Sequence, residues 1–206
     1  MDHLILGASD LDAGIAWFEK ATGVKAVLGG VHPGVGTRNA LAWLGGKRYL
    51  EILAPDPAQA EFKFRIDVRK LTEPRLVNWA AGTADVEAVA KRGAATGYEL
   101  FGPRAGSRAR PDGKTLRWEL LGVMHDLEAN GVDPIPFFIE WTADSVHPSQ
   151  ESPTGCELTA LAIEHPNSAK VKKVLSALGL EADVRKGKAS RLSATLSTPK
   201  GKVTLL

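Results

Sequence analysis

A pattern of apolar and polar positions repeats three times along the chain. Each repeat has a short apolar run, a segment with apolar residues three and four positions apart, and then further short apolar runs. The spacing of three and four is that of an amphipathic helix, whereas the short runs are typical of strands. Each predicted helix begins at a capping Asp or Asn and ends at a glycine, so each repeat predicts a β-α-β-β-β unit. The predicted helices begin at Asp10, Asp85 and Asn167 and run to Gly23, Gly97 and Gly179.

The three units divide the chain. We expect paired units at 1–60 and 74–142, which together form one domain over 1–142. A third unit follows at 155–206, and polar joints that contain proline separate the units. Such repeats predict an α+β fold in which curled, mostly antiparallel sheets surround a cavity and the helices pack outside. The predicted strands are His3–Gly7, Val24–Leu28, Asn39–Leu44, Tyr49–Leu53, Leu76–Ala80, Tyr98–Phe101, Thr115–Val123, Phe137–Trp141, Leu158–Ile163, Ala182–Arg185, Arg191–Leu196 and Val203–Leu206.

Composition and charge limit the function. Of the 206 residues, 44% are hydrophobic and 24% are charged, which is ordinary for a globular protein with a core. The net charge of +2 gives no electrostatic basis for binding nucleic acid or an anionic membrane, and no apolar run is long enough to span a bilayer. Cys156 is the only cysteine, which excludes an intramolecular disulfide and a cysteine-based zinc site. The N-terminus is not that of a signal peptide, so we expect a soluble, cytoplasmic protein.

Polar side chains interrupt the first and last strands of the two paired units. Successive side chains of a strand point to opposite faces. On the strands that carry His3 and Glu51, the face opposite these residues is entirely apolar, and we expect it to pack against the helices. Alignment of the units on their helix caps makes Asn78 the equivalent of His3, and matching the last strands pairs Glu51 with Glu140. Charges are costly to bury unless they are paired, hydrogen-bonded or metal-bound. The pattern therefore predicts that these four residues meet at one centre, whereas the third unit has no such set.

Three stretches carry a resemblance to a known family. They are Asp-His-Leu-Ile-Leu-Gly at 2–7, Gly-Gly-Val-His-Pro-Gly-Val-Gly-Thr-Arg-Asn-Ala-Leu at 29–41 and Tyr-Leu-Glu-Ile at 49–52. Together with the paired units, they resemble the glyoxalase-like domain branch of the vicinal oxygen chelate superfamily, over roughly residues 1–142. In metal-dependent members of that superfamily, His or Glu side chains on four strands hold a divalent ion that binds two neighbouring oxygens of a substrate. The resemblance implies a small-molecule enzyme that catalyses an isomerase-type or lyase-type proton transfer.

The resemblance also implies a role for each of the four converging residues. His3, Glu51 and Glu140 match the metal ligands, and the two glutamates are also the candidate catalytic residues for proton transfer. Asn78 departs from the pattern, which has histidine there, and an amide oxygen is a weak ligand for zinc, nickel or iron. The implied cofactor is a divalent metal ion, either zinc, nickel, manganese or magnesium. Two other interpretations stay open: a buried hydrogen-bonded cluster without metal, and a metal-free small-molecule binding protein like the bleomycin-resistance members.

Further polar residues are candidates for contact with the substrate. The glycine-rich run 29–36 predicts a loop at the mouth of the barrel, where His32 either contacts the substrate or faces solvent. Asn39 either donates a hydrogen bond to a substrate oxygen or stabilises the neighbouring turn. Asn78 is a further candidate for contact with the substrate. Arg117 binds a substrate carboxylate if its strand face lines the cavity, and otherwise forms a simple ion pair. The expected partner is a small molecule, and the sequence leaves a homodimer open.

Overall fold

The computed structural model describes residues 1–109 and 113–206. Within these residues it confirms the α+β fold and the order β-α-β-β-β in each unit. The first unit contains β1 (His3–Gly7), α1 (Leu11–Thr22), β2 (Val27–His32), β3 (Thr37–Trp43) and β4 (Tyr49–Pro55). The second contains β5 (Arg75–Gly82), α2 (Val86–Ala94), β6 (Glu99–Ala109), β7 (Thr115–Met124) and β8 (Phe137–Trp141). The third contains β9 (Glu157–His165), α3 (Ser168–Ala177), β10 (Asp183–Lys186), β11 (Arg191–Thr198) and β12 (Gly201–Leu205).

The helices begin at their predicted caps. In each, the capping side chain accepts a hydrogen bond from the backbone N–H three residues further on, and these caps are Asp10, Asp85 and Asn167. α1 ends as predicted before Gly23, whose φ of 81° is left-handed. α2 ends earlier than predicted, at Ala94, because the Thr96 hydroxyl donates to the Gly93 carbonyl at 2.6 Å and competes with the helix. No helix in the described part of the chain is long and apolar enough to cross a membrane.

The strands of the first two units form one sheet, in the order β2-β3-β4-β1-β5-β8-β7-β6. Within each unit the first and last strands are parallel, and the antiparallel pair β1–β5 joins the two units. The sheet curls so far that its edge strands approach each other, since Arg108 of β6 donates a hydrogen bond to the Gly29 carbonyl of β2. The result is the predicted curled and mostly antiparallel sheet.

The two faces of this sheet pack against different parts of the chain. The outer face contributes residues such as Leu4 and Ile52 to a core that it shares with the helices. The inner face, defined as the face that carries Ile5, packs against the segment 56–74 in a second apolar cluster. This cluster includes Leu53, Phe62, Phe64, Ile66, Val68, Leu71, Val77 and Phe137. Polar residues on the inner face are therefore set among apolar side chains and away from the helices.

The third unit repeats the order of elements but not the strand pairing. Its sheet has the order β10-β9-β11-β12, so its first strand lies between the second and third instead of beside the last. Residues of β9, β11 and α3 belong to the same core as the outer face of the large sheet. Backbone bonds also join the two sheets, because the Leu76 N–H donates to the Leu206 carbonyl at 2.7 Å and the Leu158 N–H to the Leu44 carbonyl at 3.0 Å. The third unit thus supports the large sheet from its outer side.

Candidate functional site

His3 and Glu51 lie side by side on the inner face of the large sheet. β1 and β4 are parallel and pair Ile5 with Glu51, so the Glu51 side chain projects from the same face as His3. The His3 Nε2 atom is 3.6 Å from Glu51 Oε2. Both side chains are buried, with exposed fractions of 3% for His3 and 9% for Glu51. The structure therefore brings these two candidate residues together.

The β2–β3 hairpin adds His32 and Asn39. The prediction of a loop over 29–36 is wrong for residues 29–32, which belong to β2. His32 therefore projects from the sheet. Its Nδ1 atom lies 2.8 Å from the Thr37 hydroxyl, and its Nε2 atom lies 3.6 Å from Glu51 Oε1. The Asn39 amide donates to the same Oε1 at 2.5 Å. His3, His32, Asn39 and Glu51 form the inner-face cluster, of which the His32 side chain, 18% exposed, is more accessible than Glu51.

The charge state of the inner-face cluster follows from its surroundings. Burial raises the pKa of the Glu51 carboxyl, but the His32 and His3 imidazoles, the Asn39 amide and the Arg108 guanidinium together outweigh burial and bring that pKa below its ordinary value. Burial lowers the pKa of His32, and although the Glu51 charge opposes this shift, Arg108 and His3 add to it. An ionised carboxylate beside a neutral imidazole is therefore the expected state near neutral pH.

Aromatic rings fix the position of His3. Tyr49 stacks on the imidazole with ring centroids 4.6 Å apart, and Phe137 packs edge-on with centroids 5.4 Å away. Burial, together with the negative charges of Glu51 and Asp2, raises the pKa of Tyr49 well above its ordinary value. Tyr49 is therefore a neutral phenol, and His3 is held beside Glu51 by packing on both sides.

The prediction that Glu140 joins His3 and Glu51 is wrong. The Glu140 Oε2 atom accepts a hydrogen bond from the Val86 N–H at 2.8 Å. Val86 is the first residue of α2, so the carboxylate lies at a helix N-terminus on the outer face of the sheet. Negative charge is favourable there, because the first N–H groups of a helix have no partner within it. Glu140 therefore stabilises α2 and does not contact the inner-face cluster.

The strand register explains why Glu140 points away. Ile5 pairs with Glu51, and its equivalent in the second unit, when the units are aligned on their helix caps, is Ala80. Ala80 pairs with Phe137, so Phe137 is the true counterpart of Glu51. Glu140 lies an odd number of residues beyond Phe137, and an odd step moves a side chain to the other face of a strand.

Asn78 lies on the inner face, as predicted, but its oxygen is engaged. The pairing of β1 with β5 places Asn78 opposite Ile5, in the row that also holds Glu51. The Asn78 Oδ1 atom accepts the backbone N–H of Trp79 at 2.6 Å. A carbonyl oxygen that bonds to the backbone is a poorer contact for a metal ion or a substrate than a free one.

The residues present do not fit the four-ligand metal set that the resemblance implies. His3 and Glu51 occupy two of the four positions, Asn78 occupies the third with its oxygen bonded, and Phe137, which has no donor atom, occupies the fourth. His32 approaches Oε1 of the carboxylate whereas His3 approaches Oε2. Among the described residues, no group of three or more His, Cys, Asp or Glu side chains is arranged to hold a metal ion. The donors instead form an acid–base set, one carboxylate between two imidazoles.

Arg117 lies away from the inner-face cluster, and of the two roles predicted for it the structure has the ion pair. Its side chain is 56% exposed, and its guanidinium lies 3.4 Å from the Asp144 carboxylate. β7 pairs Glu119 with Glu140, and Glu119 shares the face of Arg117, so this face is the outer one. The alternative, a simple ion pair, is the arrangement found.

Three residues of the site escape the sequence reasoning. Asp2 contacts the Nδ1 atom of His3 at 2.7 Å, and its position next to His3 in the sequence is the one signal that could have identified it. His147 lies in the joint after the second unit, yet it is buried and contacts Asp2 at 3.0 Å. Arg108 is 4% exposed and reaches from β6 to β2. Arg108 reaches the site because the sheet curls, and His147 reaches it because the joint lies against Asp2. Neither contact is encoded in local sequence patterns.

Comparisons with solved structures identify the fold. The structure of a hypothetical protein from Staphylococcus aureus matches with a TM-score of 0.70 at 20% identity, covering 92% of this chain and 87% of that one. Methylmalonyl-CoA epimerase from Mycobacterium tuberculosis matches with a TM-score of 0.42 at 21% identity, covering 68% and 85%. Methylmalonyl-CoA epimerase from Streptomyces coelicolor, solved with 2-nitronate-propionyl-CoA, matches with a TM-score of 0.47 at 22% identity, covering 71% and 96%. The first of these three matches, with its TM-score of 0.70, shows a likeness of fold, and at 20% identity it shows the fold alone.

Sequence comparisons identify the family. A comparison with curated proteins finds no match. The profile of a glyoxalase-like domain matches residues 1–179, which include the paired units and the beginning of the third. The matched range contains all residues of the inner-face cluster. The chain therefore belongs to the glyoxalase-like domain family.

Proposed function

We propose that the chain is an enzyme that transfers a proton to or from a small oxygenated metabolite, with His32 and Glu51 as the acid–base pair. The observation that carries this proposal is a buried carboxylate whose two oxygens each lie 3.6 Å from an imidazole nitrogen. A buried charge costs stability unless it is paired, and groups with shifted pKa values concentrate at functional sites. Proton transfer gives a reason for keeping this charge on the inner face of the sheet.

His32 is the member of the pair that takes the proton. The Asn39 Nδ2 atom lies 3.4 Å from Nε2 of His32, and an amide nitrogen only donates, so Nε2 carries the lone pair. The ring proton is then on Nδ1, which donates to the Thr37 hydroxyl at 2.8 Å. Because burial lowers the pKa of His32, the ring is neutral near neutral pH and acts as a base at Nε2.

Glu51 stabilises the positive charge that forms on His32. When Nε2 takes a proton, the pair becomes an imidazolium and a carboxylate with 3.6 Å between nitrogen and oxygen. Opposite unit charges at that distance attract by about 5 kcal/mol at an effective dielectric constant of about 20. Asn39 donates to the same carboxylate oxygen and keeps it turned toward the ring. The ring can then return the proton to a neighbouring carbon or oxygen of the substrate, which completes an isomerisation. In an elimination it gives the proton instead to a departing oxygen, whose C–O bond breaks as the electron pair of the former C–H bond forms the double bond.

Exchange of substrate hydrogen with solvent tests the proposal before the natural substrate is known. The wild-type protein is incubated in heavy water with a panel of small metabolites that have a C–H bond next to a carbonyl group, and mass spectrometry measures deuterium incorporation. We expect incorporation into at least one compound and a loss of about 10² to 10⁴-fold in His32→Gln.

His165→Gln is the matched control for this experiment. His165 is also buried, but it donates to the Leu127 carbonyl at 3.1 Å and does not contact the inner-face cluster. We expect the folded control variant to exchange at the wild-type rate. Equal rates in wild type and His32→Gln would contradict the proposal.

A second function, binding of a small molecule without turnover, is favoured by a different observation. Phe137 and Asn78 occupy two of the positions that the resemblance assigns to metal ligands, and neither offers a free donor to a metal. A protein that only binds a small molecule needs no acid–base residues. The apolar side chains of the inner face suit such binding, because small-molecule sites are lined mostly by apolar groups. Under this function, panel compounds raise the melting temperature of the wild type without any deuterium incorporation. Deuterium incorporation into a compound that also raises the melting temperature would show that the protein is an enzyme and does not only bind the compound.

A further inference from the structure

Asp2 lies directly behind the inner-face cluster and accepts three hydrogen bonds. Its Oδ1 atom is 2.7 Å from Nδ1 of His3. Its Oδ2 atom is 3.0 Å from Nε2 of His147 and 3.1 Å from the indole nitrogen of Trp141. Burial raises the pKa of the Asp2 carboxyl, but the bonds from His147 and His3 hold it well below its usual range. Asp2 is therefore a carboxylate, which only accepts hydrogen bonds.

The positions of the protons on these partners follow from the geometry. The backbone N–H of Ser149 donates to Nδ1 of His147 at 3.2 Å, so this nitrogen is an acceptor, and the ring proton is on Nε2 and points at Asp2. The Trp141 indole nitrogen is only a donor. His3 faces a carboxylate oxygen at 2.7 Å, so its Nδ1 atom also carries a proton. Each of the three neighbours thus donates to Asp2.

We infer that Asp2, held in place by His147 and Trp141, is the positioning residue of the inner-face cluster. It keeps the ring proton of His3 on Nδ1 and leaves Nε2 turned toward Glu51. The separation of 3.6 Å between Nε2 and Glu51 Oε2 is longer than a hydrogen bond, so His3 does not draw the carboxylate away from the rest of the cluster. The effect on turnover rests on the proposed function, whereas the position of the ring proton does not.

The substitution Asp2→Asn reverses this arrangement. His147 and Trp141 both donate to one side of the Asp2 side chain, so the amide oxygen takes that side and the amide N–H2 group faces His3. An N–H2 group donates, so Nδ1 of His3 becomes the acceptor and the ring proton moves to Nε2. There the proton faces the Glu51 carboxylate across the 3.6 Å gap and attracts it away from His32 and Asn39.

NMR of the ring nitrogens of His3 tests the inference directly, because protonated and unprotonated nitrogens have different chemical shifts. We expect the proton on Nδ1 in the wild type and on Nε2 in Asp2→Asn. Asp133→Asn is the matched control, since Asp133 is also a buried aspartate that holds a histidine, His125, at 2.9 Å. It should leave the His3 signals unchanged. A wild-type His3 with its proton only on Nε2 would overturn the inference, whether or not Asp2→Asn folds.

Turnover then separates positioning from a purely structural role. If the proposed function holds, Asp2→Asn lowers kcat for deuterium exchange by about 100-fold and leaves KM near the wild-type value, because the substrate does not contact Asp2. A folded variant with the reversed ring proton but the wild-type kcat would refute the positioning role. If the wild type exchanges no compound, the proposed function fails, and the NMR result still decides where Asp2 places the proton.

Discussion

Glu51→Gln removes the negative charge of the inner-face cluster while keeping the size and shape of the side chain. The amide oxygen of the substituted side chain can still accept the hydrogen bond that Asn39 donates to Oε1. What the variant loses is the attraction between the carboxylate and the protonated His32 ring, 3.6 Å away. We therefore expect a folded protein that transfers protons slowly.

The size of this loss follows from the separation of the charges. At 3.6 Å, opposite unit charges attract by about 5 kcal/mol when the effective dielectric constant is about 20. Solvent reaches the His32 ring, which is 18% exposed, so about half of that attraction, roughly 2–3 kcal/mol, is a realistic value. Since about 1.4 kcal/mol corresponds to a tenfold change in rate, we expect kcat/KM to fall about 100-fold. The Glu51 charge also raises the pKa of His32, so the acid limb of the pH–rate profile should move to lower pH in the variant.

Deuterium exchange measures the effect on turnover, and thermal melting shows whether the variant is folded. Glu119→Gln is the matched control, because Glu119 is an exposed glutamate on the outer face of the sheet. It should melt and exchange like the wild type. A folded Glu51→Gln variant with the wild-type exchange rate would show that the charge on the inner face has no part in the reaction.

The contacts of Glu51 and Glu140 also determine how the stability of the chain responds to pH, to loss of the Val86 hydrogen bond and to metal removal. The pKa of the Glu51 carboxyl is lower in the folded chain than its ordinary value of 4.5, so its contribution to stability is present above 4.5 and is lost as the pH falls through the folded pKa. Urea unfolding should therefore show a flatter loss of stability toward low pH in Glu51→Gln than in the wild type, and parallel curves would contradict this. Glu140→Ala should lower the free energy of unfolding by about 1 kcal/mol, because the N–H of Val86 loses its partner, and should leave the exchange rate unchanged. Elemental analysis of protein purified without chelator or nickel resin should find metal well below stoichiometric amounts, and EDTA should not lower the melting temperature. A stoichiometric metal whose removal destabilises the chain would contradict this prediction and would show that the cluster rearranges to bind the ion.

Local sequence patterns predict the features that near neighbours decide. The helix caps depend on residues within one turn, and β1 and β8 have the predicted bounds. The face of a strand depends instead on its register with a strand that is distant in the sequence. The connection before β4 is a short turn, whereas the connection before β8 runs over residues 125–136. Because the two connections differ in length, counting residues along the chain does not show which position of β8 is equivalent to Glu51 of β4. For this reason the sequence pattern assigns Glu140 to the inner face and misses that Phe137 takes the equivalent position.

The glycine-rich run 29–36 shows a second limit of sequence reasoning. Its glycines predict a loop, yet Gly29 and Gly30 lie in β2. A Cβ atom at Gly30 would lie 2.7 Å from Arg108 and from the Ala109 carbonyl of β6, so glycine lets the two edges of the curled sheet meet. This requirement comes from the tertiary structure. It also explains why the sequence does not place His32 beside Glu51.

Deuterium incorporation by the wild-type protein in the presence of EDTA distinguishes proton transfer by the inner-face cluster alone from proton transfer that needs a metal. If His32 and Glu51 move the substrate proton, removal of divalent ions has no effect on the rate. We predict that at least one carbonyl compound of the panel takes up deuterium at a rate that EDTA does not change and that His32→Gln lowers by about 10² to 10⁴-fold. Exchange that appears only after a divalent metal is added, or that proceeds at the wild-type rate in His32→Gln, would contradict this mechanism.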